Sequence, residues 1–247
     1  MQTSLLLLNY SRADLLSRLE GVSFGNDVFD SLFGKLNLGH LVFLHGTSHC
    51  LALSELLCVQ AQLALTEGGL ESKAIFIDGG NTFDPCLIAE YAEQLSLDSD
   101  KVLENILVSR AFTYHQLTSL IANNLKPWID RLNIKLAVVS NMLEPYCDPD
   151  IAEKQSSIFF KVALNSLVST IREKKIVAIG TSLDDEHISK NSFFEQIAYH
   201  SNIIAKLEDY GDATIIILEK HLANPPAILL NECKRCIPVT KAATLLS

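Results

Sequence analysis

Three short stretches carry side chains and turns able to hold an anion or a metal. In the first, the apolar run Leu41 to Leu44 ends in His45-Gly46 and continues Thr47-Ser48-His49-Cys50-Leu51-Ala52-Leu53 into a helical pattern. In the second, Ile75-Phe76-Ile77 runs into Asp78-Gly79-Gly80-Asn81, and in the third, Leu136 to Val139 runs into Ser140-Asn141. A glycine where a strand turns into a helix lets backbone N–H groups face an anion, and the helix N-terminus adds its dipole. A loop that holds nucleotide phosphates needs two further groups: a Lys to reach the terminal phosphates and a Ser or Thr to ligate magnesium. No Gly-Lys-Ser or Gly-Lys-Thr occurs in the chain, and Gly34-Lys35 is followed by Leu36.

Metal and thiol chemistry find less support. His45 and His49 are four apart and Cys50 follows, but the spacing straddles a strand-to-helix turn, so a shared face is not guaranteed, and no metal site is expected. Cys233-x-x-Cys236, which encloses Lys234-Arg235, is a lone pair near the terminus and reads as tail rather than zinc or redox site. The six cysteines show no framework spacing, as expected of reduced thiols inside a cell.

The elements that would position these stretches alternate. Strand-like runs fall at Leu41 to Leu44, Lys73 to Asp78, Ile106 to Ser109, Lys135 to Ser140 and Lys175 to Gly180. Between them, helical patterns cover Leu51 to Thr66, Pro85 to Gln94, Tyr114 to Leu132 and Ile151 to Glu173. Crossovers of that length join parallel strands in a sheet covered on both faces, and the ligand crevice of such a sheet lies at the carboxyl ends of its strands. Beyond Gly180, Ser201 to Glu208, Ala213 to Lys220 and Ala227 to Leu230 are separated by short turns and predict antiparallel strands at the C-terminal end.

A chain of 247 residues with 48% hydrophobic content can bury one large core. The expected organisation is an N-terminal linker at 1–20, a core domain at 21–232 and a tail at 233–247. A net charge of −9 argues against a protein that works mainly by neutralising phosphates. The Leu5 to Leu8 run is too short for a signal-peptide core, and no membrane association is expected. The expected location is cytoplasmic, or nuclear if the source is eukaryotic.

Several blocks, taken in order, resemble the ATPase core of the RecA/RadA recombinase family. They are Val22-Ser23-x-Gly25-x-x-x-Phe29-Asp30-x-Leu32, Asn81-Thr82-Phe83-x-Pro85, Leu97-Asp98-x-Asp100-Lys101-Val102-Leu103-x-Asn105-Ile106, and Ser109-Arg110-Ala111-Phe112. Ala152-Glu153-Lys154-Gln155, His200-Ser201 and Asn224-Pro225 follow in place. The resemblance spans roughly residues 10 to 231 and implies an α/β, RecA-like P-loop NTPase fold: a mostly parallel central sheet flanked by helices, with antiparallel strands at the C-terminal end.

It also implies where the chemistry has been lost. The nucleotide crevice would be built from Gly46, Thr47, Ser48, Ala52, Leu53, Asp78, Gly80, Asn81, Ser140 and Asn141. Ala52 would take the family's lysine position and Leu53 its magnesium-ligand position, with Leu51 where the family has glycine. Gly80 would replace the catalytic Glu, and Ser140-Asn141 would replace the Asp that orients magnesium and its water. No catalytic residue is therefore assigned, no cofactor is expected, and only non-canonical ATP binding at a helix N-terminus is left open.

The family joins subunits through a Phe-x-x-Ala segment just before the core, in which an aromatic anchor accompanies strand addition. Tyr10-Ser11-Arg12-Ala13 resembles it, so Tyr10 and Ala13 are candidate interface residues, with packing on the chain's own core as the alternative. The family's two DNA loops correspond to Leu143 to Asp150 and Ser182 to Gln196. The first carries Glu144, Asp148 and Asp150 with no Lys or Arg, and the second sets Asp184, Asp185, Glu186 and Glu195 against Lys190. DNA contact through them is not favoured. The resemblance thus implies a non-hydrolysing accessory protein of homologous recombination and DNA repair, partnered by a RecA/RadA-family recombinase or by itself. The alternatives are a nucleotide-binding protein or ATPase using Asp78, Asn81 and Asn141, and a DNA-binding module.

Overall fold

A computed structural model of the chain describes residues 21–147, 151–184, 192–211 and 213–231. Tyr10, Ala13, Lys190 and the tail cysteines lie outside the described residues. The central sheet has eight strands in the order β10-β9-β8-β3-β7-β6-β4-β5. They are β3 (Leu41–Gly46), β4 (Ala74–Asp78), β5 (Ile106–Arg110), β6 (Leu136–Ser140), β7 (Val177–Leu183), β8 (Ile203–Tyr210), β9 (Ala213–Lys220) and β10 (Ala227–Asn231). Strands β3 to β8 run parallel, while β9 pairs antiparallel with both β8 and β10. A separate pair, β1 (Gly21–Val22) and β2 (Leu36–Asn37), precedes the sheet in the chain.

Alternation along the strands builds a core on each face. Val42, Leu44, Phe76, Val138 and Ile179 point to one side, Leu41, Phe43, Ile75, Ile77 and Val139 to the other. The first face is covered by α1 (Asp27–Phe33), α2 (His49–Gln60), α3 (Pro85–Gln94) and α4 (Ser99–Glu104). The second is covered by α5 (Tyr114–Ser119), α6 (Leu125–Leu132), α7 (Glu153–Lys174) and α8 (Ser192–His200).

Local chemistry sets the helix starts. Asn26 caps α1 through Val28 N–H, Asp84 caps α3 through Cys86 and Leu87 N–H with Pro85 beside it, and Asp98 and Thr113 cap α4 and α5. Asn133 and Lys175 end α6 and α7 in the left-handed region, at φ 51 and 53.

The parallel sheet and its antiparallel end match the sequence-based expectation, but several boundaries do not. Helix α2 begins at His49 rather than Leu51 and stops at Gln60 rather than Thr66. The single helix expected from Tyr114 to Leu132 is interrupted by a π-helical turn at Leu120–Asn124. Ser182 belongs to β7, and Ser192 to Gln196 form the start of α8 rather than the end of a loop.

Candidate functional site

The turn from β3 into α2 consists of Thr47 and Ser48 alone. A phosphate-cradling loop sets four residues between its two glycines, and here the helix already starts at His49, within the four residues that separate Gly46 from Leu51. Thr47 N–H donates to Leu207 O at 3.0 Å, and in the first turn of the helix Cys50 N–H donates to Thr47 O at 3.0 Å and Leu51 and Ala52 N–H to Ser48 O at 3.1 and 3.2 Å. Gly46 sits at φ 119, and a Cβ there would collide with the Leu207 carbonyl. The glycine thus serves the approach of β3 to β8. Leu53 is fully buried in the core on the α2 face, where Leu51 also packs. Swinging Leu53 out to meet a ligand would forgo about 2 kcal/mol of burial.

Asp78, the surviving acid, is fully buried and serves as the acceptor that shapes its own turn. Oδ1 accepts from Thr82 N–H at 2.8 Å, Thr82 Oγ1 at 3.1 Å and Gly80 N–H at 3.3 Å; Oδ2 accepts from Phe83 N–H at 3.2 Å. Arg110 Nε stands 3.7 Å from Oδ2. Four local donors and a cation account for the carboxylate.

The remaining crevice residues bind one another. The hydroxyls of Thr82 and Ser140 are 2.6 Å apart, and Thr181 Oγ1 lies 3.5 Å from Ser140 Oγ. Asn141 N–H donates to Thr181 Oγ1 at 2.9 Å, Asn141 Oδ1 accepts from Leu183 N–H at 3.3 Å, and Asn141 Nδ2 donates to Glu144. Gly80 fits beneath Asn141: a Cβ at position 80 would stand 2.6 Å from Asn141 Nδ2. Of the sequence-predicted crevice residues, Asp78, Gly80, Ser140 and Asn141 therefore form one group. Asn81 adopts a left-handed turn at φ 53, while Gly46, Thr47, Ser48, Ala52 and Leu53 lie on the β3–α2 side.

His45 and His49 do not converge on a shared ion. His45 Nδ1 faces Asp184 Oδ1 at 3.2 Å and Nε2 faces Glu219 Oε2 at 3.0 Å, with Phe194 edge-on at 5.0 Å. Lys206 Nζ extends this cluster to Asp184 at 3.3 Å and Glu208 at 2.7 Å. His49 instead pairs with Asp209 at 3.1 Å. Burial pushes the Cys50 thiol up to about 12, far from a thiolate ligand. Among the described residues no group of three or more His, Cys, Asp or Glu is placed to hold a metal ion, and no helix is long and apolar enough to cross a membrane.

Sequence reasoning missed Glu55. It is buried on α2, accepts from Asp84 N–H at 2.7 Å, and is pushed up to about 8 by burial, with Asp84 and Asp78 adding repulsion. The available signal was a lone acid inside the apolar run Leu51 to Val59. The His45, Asp184, Lys206, Glu208 and Glu219 cluster left no such signal, because its members come from four separate strands or their ends.

Sheet order, two-sided helical cover and a crevice at the carboxyl ends of β3, β4, β6 and β7 define a RecA-like α/β core. The Rad51 family model matches residues 17–149, just over half of the chain. The chain belongs to the Rad51 family. It is similar to a DNA repair protein RAD51 homolog of Solanum lycopersicum, 34% identical over 104 residues, covering 40% of this chain and 30% of that protein. It is also similar to DNA repair protein RAD51 homolog B of Zea mays, 33% identical over 122 residues and covering 48% and 35% of the two chains. A third relative is the meiotic recombination protein DMC1/LIM15 homolog of Mus musculus, 45% identical over 69 residues, covering 28% of this chain and 20% of that one. The chain thus matches about a third or less of the length of these curated relatives.

Proposed function

We propose that this chain is an accessory member of the Rad51 family that acts in homologous recombination and DNA repair through protein contacts, without hydrolysing ATP. The observation that carries this reading is the filled crevice. Asp78, Thr82, Ser140, Thr181 and Asn141 hydrogen-bond to one another where magnesium and the attacking water would be managed. The two-residue Thr47-Ser48 turn and the buried Leu53 support it from the other side. RAD51 and DMC1 relatives support the pathway and make a family recombinase the partner of choice.

A contact surface is available. Strand β5 closes one end of the sheet and pairs only with β4 among the described residues, so its outer backbone groups can accept an added strand. A segment of the Tyr10-to-Ala13 type, from a recombinase or from a second copy, would bind there.

Two measurements test the reading together. Calorimetric titration with ATP and magnesium is expected to show no saturable binding, and adding the chain to a Rad51-family recombinase is expected to change the rate or extent of strand exchange. Tight magnesium-dependent ATP binding with turnover would replace this reading by that of an enzyme using Asp78, Asn81 and Asn141. A salt-sensitive shift of DNA by the chain alone would favour a DNA-binding module.

A further inference from the structure

The amino end of the sheet, opposite the crevice, gathers cations from distant parts of the chain. Strands β4, β6 and β7 are neighbours, and Ala74, Leu136 and Val177 stand level in their register. Lys73 and Lys135 therefore enter adjacent strands side by side, and Lys175 lies two residues ahead of Val177 in the next, a span of about 10 Å. Lys135 N–H donates to Ser72 Oγ at 2.8 Å and Lys135 Nζ to Leu70 O at 3.3 Å, which fixes this lysine against the segment that carries Lys73. Arg131 and Arg172 lie in the last turns of α6 and α7, the helices that return the chain to β6 and β7.

The ion pairs at this end leave most of these cations out. Glu173 is held by Lys126 at 2.7 Å and Asp130 by Lys174. Lys73, Arg131, Arg172 and Lys175 are exposed, and their side chains make no ion pair or hydrogen bond among the described residues. Glu71 ahead of β4 and Glu104 ahead of β5 offset them only in part. Glu144, Asp184, Glu208 and Asp209 stand instead at the carboxyl ends of β6, β7 and β8, so the net charge of −9 is not spread evenly over the fold. A helix C-terminus attracts a cation, which accounts for Arg131 and Arg172 singly, but Lys73 ends no helix.

We propose that this amino-end face binds the phosphodiester backbone of a nucleic acid. Unpaired cations side by side suit a row of phosphates, whose binding needs charge and no shaped pocket. The alternative of an acidic protein is disfavoured by what the face lacks: none of the exposed large apolar side chains belongs to these strand entries or helix ends, so a protein interface would have no apolar anchor. The site lies at the opposite end of the sheet from the acidic segments Leu143 to Asp150 and Ser182 to Gln196. It rests on neither the filled crevice nor the β5 edge: a chain without effect on strand exchange can still bind here, and one that does not bind here can still alter strand exchange.

The test is fluorescence anisotropy of the full chain with labelled oligothymidylate and oligouridylate between about 50 and 200 mM salt. The expected result is binding whose log affinity falls with log salt at a slope of about −2 to −4, as for three to five neutralised phosphates on a single strand. Lys73→Gln, Arg131→Gln and Arg172→Gln should each weaken it several-fold and bring the slope about one closer to zero. All three positions are exposed, so melting temperatures should stay within a few degrees of the parent. Lys154→Gln, an exposed cation in the first turn of α7 at the other end of the sheet, should change neither affinity nor slope. No binding at the lowest salt, a slope indifferent to the three amino-end variants, equal weakening by Lys154→Gln, or displacement by polyglutamate as effective as by unlabelled oligonucleotide would each overturn the proposal, the last in favour of an acidic protein.

Discussion

The hydroxyls of Thr82 and Ser140 lie 2.6 Å apart across the carboxyl ends of β4 and β6. Thr82 is tied back to Asp78 through both its amide and its hydroxyl, and Ser140 is backed by Thr181 on β7. Three neighbouring strands are thereby joined by short side chains.

On the proposed reading, an acid placed at position 80 should not give ATP turnover. A Cβ on residue 80 would press on the Asn141 amide at 2.6 Å, so Gly80→Glu and Gly80→Ala should each cost about 1–3 kcal/mol by overpacking. Pairing Gly80→Ala with Asn141→Ala should recover part of that loss. Urea unfolding of the two single variants and the double would show this as a coupling energy, and strict additivity would place the constraint elsewhere.

Asp78 should prove structural. Replacing it with Ala strands the Thr82 and Phe83 amides and the Thr82 hydroxyl in a buried turn, at a cost of about 3 kcal/mol or more. Asp78→Asn keeps one acceptor oxygen and should cost less. Thermal melts of the two variants order them, and an equal cost for both would mean that the local hydrogen bonds contribute little.

Glu55 makes stability depend on pH. Burial raises its folded-state value to about 8 from the ordinary 4.5, so the native state holds a proton that the unfolded chain releases. Its contribution is complete below about pH 4.5 and is lost as pH rises toward about 8. Glu55→Gln keeps an acceptor for Asp84 N–H and carries no charge, so its advantage over the parent should widen across that window. Unfolding midpoints at pH 5, about 6.5 and 8 measure it; parallel curves for the two proteins would exclude Glu55 as the titrating group.

How much of this was legible in the sequence follows from how local each signal is. The parallel core could be read because Leu41 to Leu44, Ile75 to Ile77 and Leu136 to Val139 are apolar runs buried on both faces, which periodicity reports directly. The start of α2 was misplaced by two residues because Thr47-Ser48-His49-Cys50 offers no charged cap, and Ser48 makes no side-chain capping bond. Helix α8 was hidden because its apolar residues, Phe193 and Ile197, show their spacing only when the preceding segment is not assumed to be loop. The absence of a Lys after Gly46 and of an acid at Gly80 was visible in one dimension; the pairing of Ser140 with Thr82, 58 positions away, was not.

The interface residues supply the last prediction. Tyr10 and Ala13 lie outside the described residues, so the melting temperature of Tyr10→Ala and Ala13→Glu is read beside their association to separate an interface role from packing on the chain's own core. If the N-terminal segment carries the aromatic anchor of a strand that joins the β5 edge of another molecule, both variants should weaken association with a Rad51-family recombinase or with a second copy. Losing a buried aromatic anchor costs on the order of 2 kcal/mol or more, about a thirtyfold loss in affinity. Sedimentation and surface-binding measurements would detect it. Unchanged association in both variants would assign the segment to its own core instead and leave the β5 edge to a different partner strand.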